Sequence, residues 1–181
     1  MKKILGLMGV VGLLFAGCSD ADDILSAFHN DPNAVHINAE VGKASADGFT
    51  RSNPLGATEA DQKKFNPNDE ISVKTNGQEA VTYKLVGTEW QPQGGKFLKW
   101  ESETMNFTAY YPASYTGGTI TQPTAYPDEA SLIAADYMIF TDYVKNPGDN
   151  SLTLTMQRKM ARVVVEIVKF NDQYADRKSV V

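Results

Sequence analysis

Short apolar segments with period-two alternation recur along this chain, and residues that favour turns separate them. Alternation of this kind places apolar and polar side chains on opposite faces of a strand. The dipeptide Asn76-Gly77 lies between two such segments and tolerates the positive φ of a tight hairpin turn. The segments span residues 35–41, 70–74, 81–86, 97–100, 105–111, 136–140, 152–156 and 163–170. Many short strands at this spacing predict an all-β sandwich or barrel, with no helix longer than two turns.

Length and charge narrow the class of protein further. With 181 residues, the chain has the length of one domain. Its 17 basic and 22 acidic residues give a net charge of −5, and the basic residues are scattered along the sequence. Because nucleic acid binding needs a clustered positive surface, we expect no nucleic acid partner.

The N-terminus has the features of a lipoprotein signal peptide. Lys2 and Lys3 precede a short apolar run over residues 4–15, which is too short to span a bilayer. Residues 14–18 resemble a lipobox and end in Cys18, the one cysteine of the chain. We therefore expect residues 1–17 to be removed by cleavage between Gly17 and Cys18, and the Cys18 thiol to carry the lipid anchor.

Acidic residues follow this cysteine directly. Residues 19–23 read Ser-Asp-Ala-Asp-Asp, and we interpret residues 18–33 as an acidic flexible leader. The acidic run resembles the export signal that sends some Gram-negative lipoproteins to the outer face of the outer membrane. The β-domain itself is expected over residues 34–181.

Motifs for catalysis or metal binding are absent from the sequence. His29 and His36 have no partner at a ligand spacing, and neither a Gly-x-Ser-x-Gly elbow nor a glycine-rich phosphate loop occurs. We expect no enzyme, no metal and no cofactor other than the lipid on Cys18.

Taken in order, several motifs resemble the N-terminal domain of the fimbrillin family, the subunits of protease-matured bacterial fimbriae. The matching pieces are the lipobox, the early strand at 35–41, Thr50-Arg51, Phe-Asn-Pro-Asn-Asp-Glu-Ile-Ser-Val at 65–73, Phe-Thr-Ala-Tyr-Tyr-Pro at 107–112, Ala-Asp-Tyr-Met at 135–138 and Arg-Lys-Met-Ala-Arg-Val at 158–163. Their order and rough spacing extend through most of the chain.

This resemblance implies a transthyretin-like β-sandwich of the Greek-key type that assembles by strand exchange. A trypsin-like maturation protease would cut after a basic residue behind the first strand, with Arg51 as the first candidate and Lys43 as the second. The removable strand would carry Val35, Ile37, Ala39 and Val41 into the core. Expected partners are other fimbrial subunits, that protease and, through the lipid, the outer membrane. The expected location is the cell surface and its fimbriae, with a role in adhesion.

The chain departs from this family at its C-terminal end. Members usually have a second domain and a C-terminal donor segment, whereas this sequence ends at Val181. Either the sequence is truncated, or the protein accepts a strand without donating one and occupies an end of a polymer.

A different class of function remains open. Trp90 and Trp100, together with Tyr83, are candidates for an exposed aromatic platform of a glycan-binding surface lipoprotein, although a core position suits them as well. A small hydrolase with dispersed catalytic residues is a third interpretation.

Overall fold

The computed structural model describes residues 20–42, 60, 63–121, 131 and 134–159. Over these residues, one helix, α1 (Asp20–Asn30), precedes seven strands. The strands are β1 (His36–Val41), β2 (Glu70–Thr75), β3 (Val81–Val86), β4 (Glu89–Pro92), β5 (Thr104–Tyr111), β6 (Met138–Lys145) and β7 (Ser151–Arg158). The all-β prediction is therefore confirmed.

Hydrogen bonds join the strands in the order β1-β7-β6-β5-β2-β3-β4. All neighbours are antiparallel except β1 and β7, which are parallel. In the part of the chain that the structure describes, β6 and β7 pair only through Met138 with Arg158 and Ile139 with Gln157. Strand β7 pairs over six residues with β1, and its buried side chains belong to the same cluster as those of β2, β3 and β5.

The two ends of the strand order meet. Strand β1 contacts β4, and an isolated antiparallel bridge joins Ala34 to Lys99. The segment that leads into β1 therefore connects the two layers of the sandwich beside β4.

The core lies between the two layers and contains the apolar positions of each alternating strand. Strand β7 shows the pattern clearly, because Leu152, Leu154 and Met156 are fully buried while Thr153 is exposed. The opposite layer contributes Ile71, Val73, Val81, Tyr83, Phe107 and Ala109 to the same cluster. The alternation that predicted the strands thus also identified their buried faces.

Local turn chemistry accounts for the hairpins. Gly77, in the β2–β3 connection, has φ +83°, a left-handed conformation that glycine adopts without a Cβ penalty. Gly87 is the first of the two residues between β3 and β4 and has φ +64°, the sign that a type II′ turn requires there.

The structure corrects several sequence-based predictions. The leader at 18–33, interpreted as flexible, contains α1, a helix of 11 residues. Its signals were Asp23 in the first turn and the spacing of Leu25 and Phe28 on one face, which the acidic composition obscured. No helix among the described residues has the length and hydropathy of a membrane span.

Three strand predictions also change. Strand β4 (Glu89–Pro92) lies outside the predicted segments, and residues 97–100 form only the bridge at Lys99 rather than a strand. Strand β6 is longer than the predicted segment and extends to Lys145. The expected strand at 163–170 lies outside the described residues.

Candidate functional site: the seat of strand β1

Strand β1 lies at the end of the strand order and is held by β7. Six residues pair in parallel register, from His36 with Ser151 to Val41 with Met156. Backbone hydrogen bonds hold both ends of this pairing. The His36 amide donates to the Asn150 carbonyl at 3.0 Å, and the Gly42 amide donates to the Met156 carbonyl at 2.8 Å. No described strand pairs with the other edge of β1.

The residues before β1 bond to the opposite wall. The Val35 amide donates to the Leu98 carbonyl at 2.9 Å, and the Trp100 amide donates to the Asn33 carbonyl at 2.8 Å. The segment from Asn33 to Val41 therefore bonds first to residues 98–100 and then to β7. We call these two walls, residues 97–100 and β7, the β1 seat.

Apolar side chains of this segment enter the core as predicted. Val35, Ile37 and Val41 are 0, 9 and 4% exposed, and Ala39 is half-buried against the same cluster. Each larger aliphatic side chain contributes roughly 1.5–3 kcal/mol through its burial. The polar residues Asn38 and Glu40 between them are exposed, so one face of β1 carries its apolar contacts.

Asn150 connects the elements around the seat. Its carbonyl accepts hydrogen bonds from the His36 amide and from Trp100 Nε1, and its side-chain amide donates to the Pro32 carbonyl. Its Oδ1 accepts a bond from Asn146 Nδ2 at 2.9 Å, and its φ is +60°. Asn150 lies in the connection between β6 and β7, and its long-range partners are not visible in a linear pattern.

We expect Asn150→Ala to destabilise the fold by about 1–3 kcal/mol, because the Pro32 carbonyl loses its donor and alanine is strained at positive φ. Urea unfolding followed by tryptophan fluorescence measures this change. Asn150→Gly is the matched control, since glycine accepts the backbone angle but lacks the side chain. Equal stability of the wild type and the glycine variant would show that the side-chain bonds contribute nothing.

Helix α1 forms a second contact with the same side of the molecule. Phe28 is 1% exposed, and its ring centroid lies 4.7 Å from that of His36 and 5.6 Å from that of Phe97. His29 Nε2 lies 2.6 Å from Glu89 Oε1, which links the helix to β4. The helix is thus packed onto the domain through an aromatic side chain.

Charged groups flank this aromatic contact. Asp31 Oδ2 lies 2.6 Å from Lys99 Nζ, and the hydrogen bond from Lys99, followed by that from the Asn33 amide, lowers the pKa of Asp31. Partial burial raises the pKa of Glu89, but hydrogen bonds from Gln91 and His29 outweigh it and leave this pKa below its usual value. Both carboxylates therefore carry their charge over most of the pH range.

The proposed aromatic platform is not exposed. Trp90 is 3% exposed, and its ring centroid lies 5.2 Å from that of Phe65. Trp100 is 5% exposed, and its ring centroid lies 5.0 Å from that of Phe107. Tyr83 is fully buried, and its hydroxyl accepts a hydrogen bond from the Leu98 amide at 3.0 Å. The prediction of a glycan platform on these residues is wrong, because all three support the core and the β1 seat.

Away from the seat, a buried ion pair lies where β6 and β7 meet. Arg158 Nε is 3.1 Å from Asp136 Oδ2, and the two side chains are 4% and 1% exposed. Burial lowers the pKa of Arg158, and the adjacent Asp136 opposes that shift. Among the described residues, β6 and β7 pair at this point alone, so the ion pair lies where the two layers are joined.

An acidic residue lies in an open cleft of about 420 Å³ near this junction. Asp69 accepts hydrogen bonds from the Asn66 amide at 2.7 Å and from the Tyr111 hydroxyl at 3.1 Å. Burial raises the pKa of Asp69 above its usual value, against the effect of both bonds. The described residues contain no group of three or more potential metal ligands.

Several predicted sites lie outside the described residues. These are the cleavage site at Gly17 and Cys18 with its lipid, and the maturation candidates Lys43 and Arg51. They remain predictions from the sequence. The structure places the strand that would precede the cut, β1, directly before this undescribed segment.

Comparison with known proteins gives a family-level match. Residues 43–180 match the family model described as fimbrillin-like. A comparison with curated proteins finds no match.

Among solved structures, the chain is similar to a fimbrial protein from Bacteroides ovatus, with 17% identity and a TM-score of 0.41 over 71% of this chain and 29% of that one. It is also similar to two proteins provisionally named as cell adhesion proteins. The one from Bacteroides ovatus has 16% identity and a TM-score of 0.42, over 70% of this chain and 52% of that one. The one from Bacteroides thetaiotaomicron has 18% identity and a TM-score of 0.36, over 70% and 46%. This chain spans about half or less of the length of each.

Proposed function

Because this chain belongs to the fimbrillin-like family, we propose that it is a subunit of surface fimbriae that assembles by exchange of strand β1 and serves in cell adhesion. The observation that carries the proposal is the position of β1. Among the described strands, it is terminal in the strand order and pairs with β7 alone over six residues. It fills the core with Ile37 and Val41, and Val35 directly before it is buried as well. Removing such a strand leaves an open backbone edge and apolar pockets that a strand from another subunit can fill.

Proteolysis in the segment behind β1 would open this seat. A cut after Arg51 lies beyond the end of β1 at Val41, so it would separate α1 and β1 from strands β2 to β7. Lys43 is the second candidate and lies only two residues after the strand. A trypsin-like protease is the proposed partner for this step, because both candidates are basic.

The remaining parts of the proposal concern the membrane. Acylated Cys18 would hold the uncut subunit at the outer membrane, and the acidic residues that follow it would direct the subunit to the cell surface. The same cut would release the subunit from its lipid. Maturation and release from the membrane are then a single event.

The test is to follow maturation on intact cells that express the full chain. We expect the wild-type protein to begin at Ser52 after exposure to the maturation protease and to form polymers that persist in unheated gels. Arg51→Ala should shift the cut to Lys43 or slow it, and the double variant Lys43→Ala, Arg51→Ala should keep its N-terminus and stay monomeric. Intact mass and N-terminal sequencing measure both outcomes.

Lys145→Ala is the matched control, because Lys145 is a basic residue on the surface of β6, far along the chain from β1. It should mature and polymerise like the wild type. Polymers formed by the uncut double variant would contradict protease-triggered exchange.

A further inference from the structure

The contacts of the N-terminal segment extend well before β1. Phe28 is as deeply buried as the core-facing residues of β1. It lies in α1, eight positions before the first residue of that strand. Ala34 and Val35, also before the strand, are both fully buried. Any cut behind β1 therefore detaches a unit that is larger than one strand.

The parts of this unit that contact the remaining body define a chemical pattern. We call Phe28, His29 and Asp31 the α1 anchor. Phe28 packs on Phe97. His29 and Asp31 lie at 2.6 Å from Glu89 and Lys99, respectively. Phe97, Glu89 and Lys99 all stay with the body after the cut.

We infer that the β1 seat recognises its occupant over the whole length from Phe28 to Val41, and that its physiological partner is a segment of another subunit with an aromatic residue before an apolar strand. This inference rests on the exchange proposed above. For charge complementarity, the partner segment also carries a basic group beside its aromatic ring, opposite Glu89, and a carboxylate opposite Lys99. A small residue is required at the position of Ala34, because that side chain is fully buried at the bridge to Lys99.

Pairing with β7 and the contacts of the α1 anchor contribute to binding in different ways. Backbone pairing with β7 sets the register of the occupant but accepts almost any sequence, because the bonds come from the main chain. Aromatic burial and charge pairing depend on the side chains, so they provide discrimination between segments. Glu89, Phe97 and Lys99, which contact the α1 anchor, are therefore the residues of the body that select a partner.

Peptide binding to the cut chain tests the inference. The full chain is cut after Arg51 by limited trypsin digestion, the cut is verified by intact mass, and excess fluorescent peptide is exchanged into the seat. The probes are residues 20–42 of this chain, the same peptide with Phe28→Ala, the same peptide with Ala27→Ser, and the strand-only peptide 34–42. Anisotropy reports binding, and Ala27→Ser is the matched control because Ala27 is exposed on α1.

We expect the 20–42 peptide to bind at least tenfold more tightly than both the Phe28→Ala peptide and the strand-only peptide, which is about 1.4 kcal/mol. The Ala27→Ser peptide should bind within about twofold of the parent, because an exposed side chain adds little. Equal affinity of the strand-only and 20–42 peptides would overturn extended recognition and leave strand exchange intact. Failure of every peptide to enter the cut chain would instead contradict the exchange itself.

A charge-reversal pair tests complementarity separately. Lys99→Glu in the cut chain should weaken the 20–42 peptide by about two- to fivefold, since this partly exposed pair is screened by solvent. A 20–42 peptide with Asp31→Lys should recover that loss on the Lys99→Glu chain and bind less well to the wild type. Absence of such a recovery would remove the charged positions from the recognition pattern.

Discussion

Replacing Arg158 with alanine is expected to destabilise the fold by about 3–5 kcal/mol, because it removes the cation next to a carboxylate that is 1% exposed. The position adds to the effect, since Arg158 and Met138 form one of the two residue pairs that the structure describes between β6 and β7. Urea unfolding measures the free energy of unfolding, and the buried Trp90 and Trp100 report it through their fluorescence.

Two comparisons isolate the cause. Lys145→Ala breaks an ion pair between the last residue of β6 and Glu103, which precedes β5, but those side chains are 71% and 74% exposed, so the loss should stay below about 1 kcal/mol. The double variant Asp136→Leu, Arg158→Met replaces the buried pair with apolar groups and should be much closer to the wild type than Arg158→Ala. If Arg158→Ala unfolds at the same urea concentration as Lys145→Ala, the buried pair has no stabilising role.

Leu154→Ala is expected to cost about 2–5 kcal/mol, because it leaves a cavity in the core under β1. Leu154 is fully buried and pairs in register with Ala39, a small and half-buried residue that cannot fill the space. At about 2–4 °C per kcal/mol for a chain of this size, the melting temperature should fall by several degrees or more. Thermal unfolding by circular dichroism measures it.

The same variant links stability to assembly. Thr153→Ala is the matched control, because Thr153 lies next to Leu154 on β7 and is exposed. It should stay within about 0.5 kcal/mol of the wild type. After the cut, the Leu154→Ala chain should bind the 20–42 peptide more weakly than the Thr153→Ala chain, since the occupant packs on the side that Leu154 lines. Equal binding of the peptide by both chains would show that the side chains of β7 do not contribute to its affinity.

The candidate site was partly visible in the sequence. The alternation of Val35, Ile37, Ala39 and Val41 identified the first strand and its buried face, because a half-buried strand must repeat every two residues. The partners of that strand were not visible, since β1 pairs with residues more than a hundred positions away. Asn150 and the contact of Phe28 with Phe97 were missed for the same reason.

Ambiguity between core and surface explains the error on the tryptophans. An aromatic residue in a short apolar segment satisfies both a core position and an exposed platform, and composition does not separate the two. Only packing does so: Trp100 lies against Phe107, and its indole nitrogen donates to the Asn150 carbonyl. For the leader, the error was the reverse: its acidic composition predicted an exposed, flexible segment, whereas Phe28 is buried. That burial depends on a surface that another part of the chain provides.

The amino-acid order by itself determined the class of the fold, most strand positions and the inward face of the strands that alternate regularly, because these follow from local periodicity and turn chemistry. Tertiary structure alone decided that β1 lies parallel to β7, that residues 33–35 bond to the opposite wall, and that α1 packs through Phe28 on Phe97 of that wall. These features depend on contacts between residues distant in the chain, and such contacts form only when the two layers close over a shared core.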